Sequence, residues 1–185
     1  MIKTISAKLH AHANGRSIFL LFLLMLVFAV IIVPTVQGKI KALSGGTDLI
    51  DLQLFYTAEK IYAMLASYGE AGRSLYLFFA ASGDLIYPVV YSVFLGLILS
   101  WLLQRAFAKD SRWQMLNVAP LFGMLFDWLE NANIITMLSL FPDVHPNIAR
   151  LGSACTSLKW GFSAASGLLL IAALVLAAKN GFKKR

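Results

Sequence analysis

Long uncharged apolar stretches alternate with short polar ones four times along this chain, and that alternation predicts its elements. The first apolar run is Ser17 to Val36, the second starts near Leu75, the third near Met115 and the fourth near Leu151. The expected spans are residues 17–37, 75–104, 115–140 and 151–178. Each reaches the roughly 20 residues that a helix needs to cross about 30 Å of hydrocarbon. The second and fourth exceed it, so tilt or protruding ends are expected. The pattern predicts an all-α protein, an integral membrane four-helix bundle forming one membrane domain over 1–185.

The first run also has features of a secretory leader: a basic start, an apolar middle and small residues near Val36-Gln37-Gly38. Its apolar stretch is long for such a leader, so an uncleaved helix is the main expectation.

A long connection, Gly38 to Gly72, separates the first two runs. Ser44-Gly45-Gly46-Thr47 reads as a turn, and Thr57 as the cap of a helix from Ala58 to about Gly69. Ile61, Met64, Leu65 and Tyr68 fall at i, i+3, i+4 and i+7, which gives this helix, over about 58–68, one apolar face. An amphipathic helix resting on the outer membrane surface is expected, with a lid over the bundle as the alternative.

Composition agrees with a bilayer. Hydrophobic residues make up 59% of the chain and charged ones 14%, against about 25% charged in soluble domains. Mean hydropathy is +0.74. The net charge of +7 is concentrated beside the apolar runs. Lys3, Lys8 and Arg16 precede the first; Arg105, Lys109 and Arg112 lie between the second and third; Lys179, Lys183, Lys184 and Arg185 follow the fourth. With four crossings all three basic groups fall on one side, which predicts cytoplasmic termini in a plasma (inner) membrane. Trp101 and Trp113 flank the middle basic loop as interfacial anchors do.

Polar residues inside the spans carry the chemistry, because charge in a bilayer is costly and usually faces the bundle interior. The second span has Asp84 with Tyr87 and Tyr91 at i+3 and i+7. The third has Asp127, Glu130 and Asn131 on one face, and Asn133 near them. The fourth has Thr156, Lys159 and Ser163. Counted from the basic ends at 1.5 Å per residue, Asp84 and Lys159 both lie roughly 30 Å along their helices, and Asp127 and Glu130 roughly 21 and 26 Å. Three helices therefore place ionisable groups in one layer. Pro88 removes a backbone hydrogen bond just after Asp84, which is expected to kink the second span there and to free the carbonyl of Asp84, one turn earlier. Three carboxylates face one ammonium here, so a raised carboxyl pKa, a bound cation or water is required. The same polar residues could instead simply hold helices together.

Several classes are excluded. The single cysteine, Cys155, allows no internal disulfide and no cysteine-based zinc site, and reads as a packing residue. His10, His12 and His145 lie outside the spans, so no histidine metal box forms within them. No P-loop, HExxH or GxSxG occurs. No cofactor is implied, and no nucleic-acid partner, since no basic-aromatic interleaving is present.

Three functional readings follow. One is binding or transport of a small solute or ion in a polar pocket of the outer half of the bilayer, with Lys159 suited to an anionic group; four spans per chain then call for a homo-oligomer. Another is an intramembrane enzyme acting on a lipid or isoprenoid, with a carboxylate as general acid or base. The last is a non-catalytic accessory subunit.

Overall fold

The computed structural model describes residues 1–183, which are helical throughout apart from short connections. The basic tail residues Lys184 and Arg185 lie outside the described residues.

The first membrane run is a continuous 30-residue helix, Gly15–Ser44. It comprises α2 (Gly15–Leu26), a π turn (Val27–Ile32) and α3 (Val33–Ser44). Asn14 caps it by accepting from the Ser17 N–H at 2.9 Å. The π turn precedes Pro34, whose missing N–H leaves the Val30 carbonyl without its usual partner; a widened turn is a common accommodation of such a break. The helix stops at Gly45, whose φ of 68° is left-handed and suits glycine. The helix runs past the expected end at 37 because only Gly45 terminates it.

The second run is broken. α5 (Gly69–Ala80) ends at a turn over Ala81 and Ser82, and α6 (Gly83–Ala106) begins after it. The expected start at residue 75 is therefore corrected to Gly83. A Cβ at Gly83 would lie 2.8 Å from Phe79 Cε2, so the reversal closes around a residue with no side chain. The third helix, α7 (Ala119–Leu140), starts later than expected, because Arg112–Val118 winds as a 3₁₀ segment capped by Ser111. The fourth, α8 (Pro146–Lys183), starts five residues earlier than expected, with Pro146 in its first turn.

α7 packs along α8, and α6 packs against both. α2 packs on α6, and α3 on α5. The connection after the first helix forms a cap over one end of this assembly. Leu49 and Ile50 are fully buried with Ile40, Ile134 and Met137. α4 (Ala58–Ser67) buries Ile61, Tyr62, Met64 and Leu65 in the same cluster. Tyr56 N–H donates to Ser153 Oγ at 2.9 Å, and His145 N–H to Tyr62 Oη at 2.9 Å. The expectation of a helix lying on lipid is thus corrected. Its apolar face is covered by Leu49, Ile50 and Tyr56 from the preceding segment, so α4 is a protein-packed lid.

At the opposite end lies a helix that hydropathy does not reveal, α1 (Ile2–His12). Asn117, fully buried, donates to the Ser6 carbonyl at 3.1 Å and to Ser100 Oγ at 2.8 Å. His10 Nε2 meets the Gln114 carbonyl at 3.0 Å. Leu9 fills the space left by Gly96, where a Cβ would come within 3.2 Å of it.

By length and composition three helices are apolar enough to cross a membrane: Gly15–Ser44, α6 and α8. α7, at 22 residues, carries Asp127, Glu130, Asn131 and Asn133 and is less apolar. Large apolar side chains remain exposed along the outside, including Phe19, Leu20, Val30 and Ile31 on the first helix and Leu168, Ile171 and Leu174 on α8. Such a belt is what lipid would cover. The helices thus read as membrane-inserted.

Candidate functional site

The polar layer expected from helix rise is assembled where the cap meets the helices. A cavity of about 400 Å³ lies there. Asp84, Tyr87, Tyr91 and Leu95 of α6 line it, with Asp127 of α7 and Lys159, Trp160 and Ser163 of α8. The first helix contributes Ala29 and Val33, and the cap Asp51 and Leu52. Six residues singled out from sequence therefore share one wall: Asp84, Tyr87, Tyr91, Asp127, Lys159 and Ser163.

The other three, Glu130, Asn131 and Thr156, stand behind that wall. Glu130 is fully buried and forms an ion pair with Lys159 Nζ at 2.5 Å. Its other oxygen accepts from Thr156 Oγ1 at 2.6 Å. Asn131 Nδ2 donates to the Asp84 carbonyl at 2.8 Å. That carbonyl is the one Pro88 leaves without a helical donor, so a side chain from α7 replaces the missing N–H. Asn131→Leu is expected to lower stability in detergent by about 1.5 kcal/mol, the cost of a buried unsatisfied carbonyl. In a Pro88→Ala background, which restores the N–H, the same change is expected to cost little. Equal costs in both backgrounds, read by thermal unfolding, would refute the replacement.

Sequence reading missed Asp51, and with it the cap's part in the site. Lys159 Nζ donates to the Asp51 carbonyl at 3.1 Å. Tyr76 Oη donates to Asp51 Oδ1 at 3.1 Å and accepts from the Ile50 N–H at 3.1 Å. The available signal was an acid set directly in the apolar segment Leu49-Ile50-Asp51-Leu52 of a connection read as solvent-facing. Trp160, whose indole N–H donates to the Gln53 carbonyl at 3.1 Å, was missed with it.

The acids differ in their partners. Asp127 Oδ2 accepts from Tyr91 Oη at 2.9 Å. Asp84 is 5% exposed, and its Oδ2 is buried without a hydrogen-bond donor. It occupies the first turn of α6, where the helix dipole favours a carboxylate. Tyr87 stacks on Phe28 at 5.3 Å between ring centres and meets Tyr91 edge-on at 5.5 Å, giving the cavity an aromatic side. Among the described residues Lys159 is the only cation lining it. Asp48, outside the membrane helices, pairs with Lys41 near the end of the first helix at 2.6 Å, which holds its carboxyl below the usual range. Burial pushes the Tyr56 hydroxyl up, so it stays protonated at neutral pH.

No group of three or more His, Cys, Asp or Glu among the described residues is placed to hold a metal ion. No family model, no curated protein and no solved structure matches the chain. Function rests on the geometry alone.

Proposed function

We propose that this is a four-span membrane protein with both termini cytoplasmic, whose acidic cavity binds a small solute in the outer half of the bilayer, for recognition or transport. α7 is the fourth span: its polar residues face the cavity and its partners, not lipid. Asp127, Glu130 and Asn131 are all buried, while Phe122, Leu125 and Leu129 on the helix are exposed. The cap is extracytoplasmic, and α1 with the basic loop after α6 lies inside.

The observation that carries this reading is Asp84: a side chain on the wall of a cavity built from five segments of chain, with its Oδ2 left without a donor. A helix-holding role would pair that oxygen, since unpaired buried charge is destabilising. A ligand-binding role leaves it free until the ligand arrives.

Cysteine labelling tests both parts. In a Cys155→Ala background, Asp110→Cys is expected to react with impermeant thiol reagents only after membranes are opened, and Leu54→Cys in intact cells. Ser163→Cys, on the cavity wall, is expected to react with a small methanethiosulfonate, while the buried Ser166→Cys is not. Reaction of the 54 and 110 positions from the same side would refute the four crossings. An inert Ser163→Cys would refute an accessible pocket.

A further inference from the structure

The charges around the cavity define what fits. Lys159 is matched by Glu130 at 2.5 Å and also holds the Asp51 carbonyl. Its positive charge and two of its three N–H donors are therefore engaged by the protein. That leaves Asp51, Asp84 and Asp127 on the wall with no second cation among the described residues. An anion entering here would meet three carboxylates and no free ammonium. A cation would supply the charge that the wall lacks, and its N–H groups would face the carboxyl groups that line it.

The rest of the cavity is apolar and aromatic. Tyr87, Tyr91 and Trp160 present ring surface, which attracts a desolvated cation through the ring quadrupole. Ala29, Val33, Leu52 and Leu95 present only hydrocarbon. α8 packs on α7, α6 and α4 but hardly on the first helix, and the cavity occupies the space between them. At that seam Val30 is exposed and Trp160, which lines the cavity, is 37% exposed, so the cavity wall there adjoins the apolar outer surface. A ligand coming by this route needs an apolar tail.

We propose that the cavity binds a primary alkylammonium, with its charged head among Asp84, Asp127 and Asp51 and its tail toward the seam between the first helix and α8. This rests on the solute-binding reading above and names its ligand class. The size agrees, since small-molecule pockets run from about 300 to 1,000 Å³. The head group's N–H donors face the Asp84 and Asp127 carboxyl groups on the wall, and its charge offsets the excess of carboxylates. Asp84 then belongs to the residues whose retention costs stability in the empty protein.

The test uses full-length protein in decyl maltoside, with thermal unfolding followed by tryptophan fluorescence. Hexylamine, hexanol and hexanoate share one tail and differ only in head group. Hexylamine at ten times its Kd is expected to raise Tm by roughly 3–5 °C, and the other two to leave it unchanged. Asp84→Asn is expected to keep or raise the unliganded Tm and to lose the hexylamine shift. Tyr87→Leu gives an independent arm, weakening hexylamine roughly threefold or more through the lost ring face. Stabilisation by hexanol or hexanoate as strong as by hexylamine would overturn the amine and leave solute binding standing. A full hexylamine shift in Asp84→Asn would place binding elsewhere and overturn it too. No shift with any of the three would overturn the solute-binding reading itself.

Discussion

Lys159→Met is expected to destabilise the protein by about 5 kcal/mol, and Glu130→Leu by about 3 kcal/mol, both within the range for breaking a buried ion pair. The asymmetry follows from what each change leaves behind. Without Lys159, Glu130 is a fully buried carboxylate whose remaining side-chain partner is the Thr156 hydroxyl. Without Glu130, Lys159 still holds the Asp51 carbonyl and shares the cavity with Asp127 and Asp84. The double variant removes both charges, and Thr156 keeps its bond to the Gly152 carbonyl at 3.0 Å. Its cost is therefore expected to be smaller than that of either single change. Thermal unfolding of the four proteins in one detergent reads this cycle. Additive losses would show that the two side chains are not a coupled pair.

Gly152→Ala is the second large effect, expected to cost about 3 kcal/mol, the upper end for overpacking a tight site. A Cβ there would stand 2.5 Å from Tyr56 Oη and 3.2 Å from Asn133 Cβ. Asn133 is fixed on the facing helix. Tyr56 is 5% exposed, and its backbone N–H is held by Ser153 one residue away on α8, so its ring has little room to swing. Tyr56→Phe removes the clashing oxygen, and in that background Gly152→Ala is expected to recover at least half of the loss. An unchanged cost would mean that the α7–α8 spacing, rather than the cap, limits the site.

The layer of ionisable groups was legible because helix rise is nearly constant and the basic ends give a common origin. Asp84, Asp127 and Lys159 line one cavity, and so do Tyr87 and Tyr91 of the i, i+3, i+7 stripe. Which members of a stripe touch the cavity was not legible. Glu130 lies roughly 60° around α7 from Asp127, enough to turn it from the wall to the packing behind. Periodicity does not resolve that difference.

The cap was misread for a different reason. Hydropathy grades a segment by what it contains, not by what covers it. Leu49, Ile50 and Tyr56 lie in a connection with no more regular structure than a 3₁₀ turn at Ile50–Leu52, yet they complete a core with Ile61 and Leu65. The break at residue 81 was hidden likewise, since Leu75 to Phe79 is as apolar as the helix that follows. It depends on the contact of Phe79 with Gly83 and on Tyr76 turning to hold Asp51. α1 stayed hidden because Ser6 and His10 look solvent-facing until Gln114 and Asn117 are brought beside them.

The π turn in the first helix alters the phase of everything on either side of it. A widened turn takes up extra chain for the same advance along the axis, so the two halves present different sides to their neighbours. The earlier half lies on α6, with Phe22 against Phe94, and the later half on α5, with Ile40 in the cap's core. Within the turn itself Ala29 lines the cavity and Phe28 stacks on Tyr87. Shortening that turn by a single residue would swing one half by about a quarter-revolution relative to the other. The helix could then serve the membrane portion or the lid, but not both.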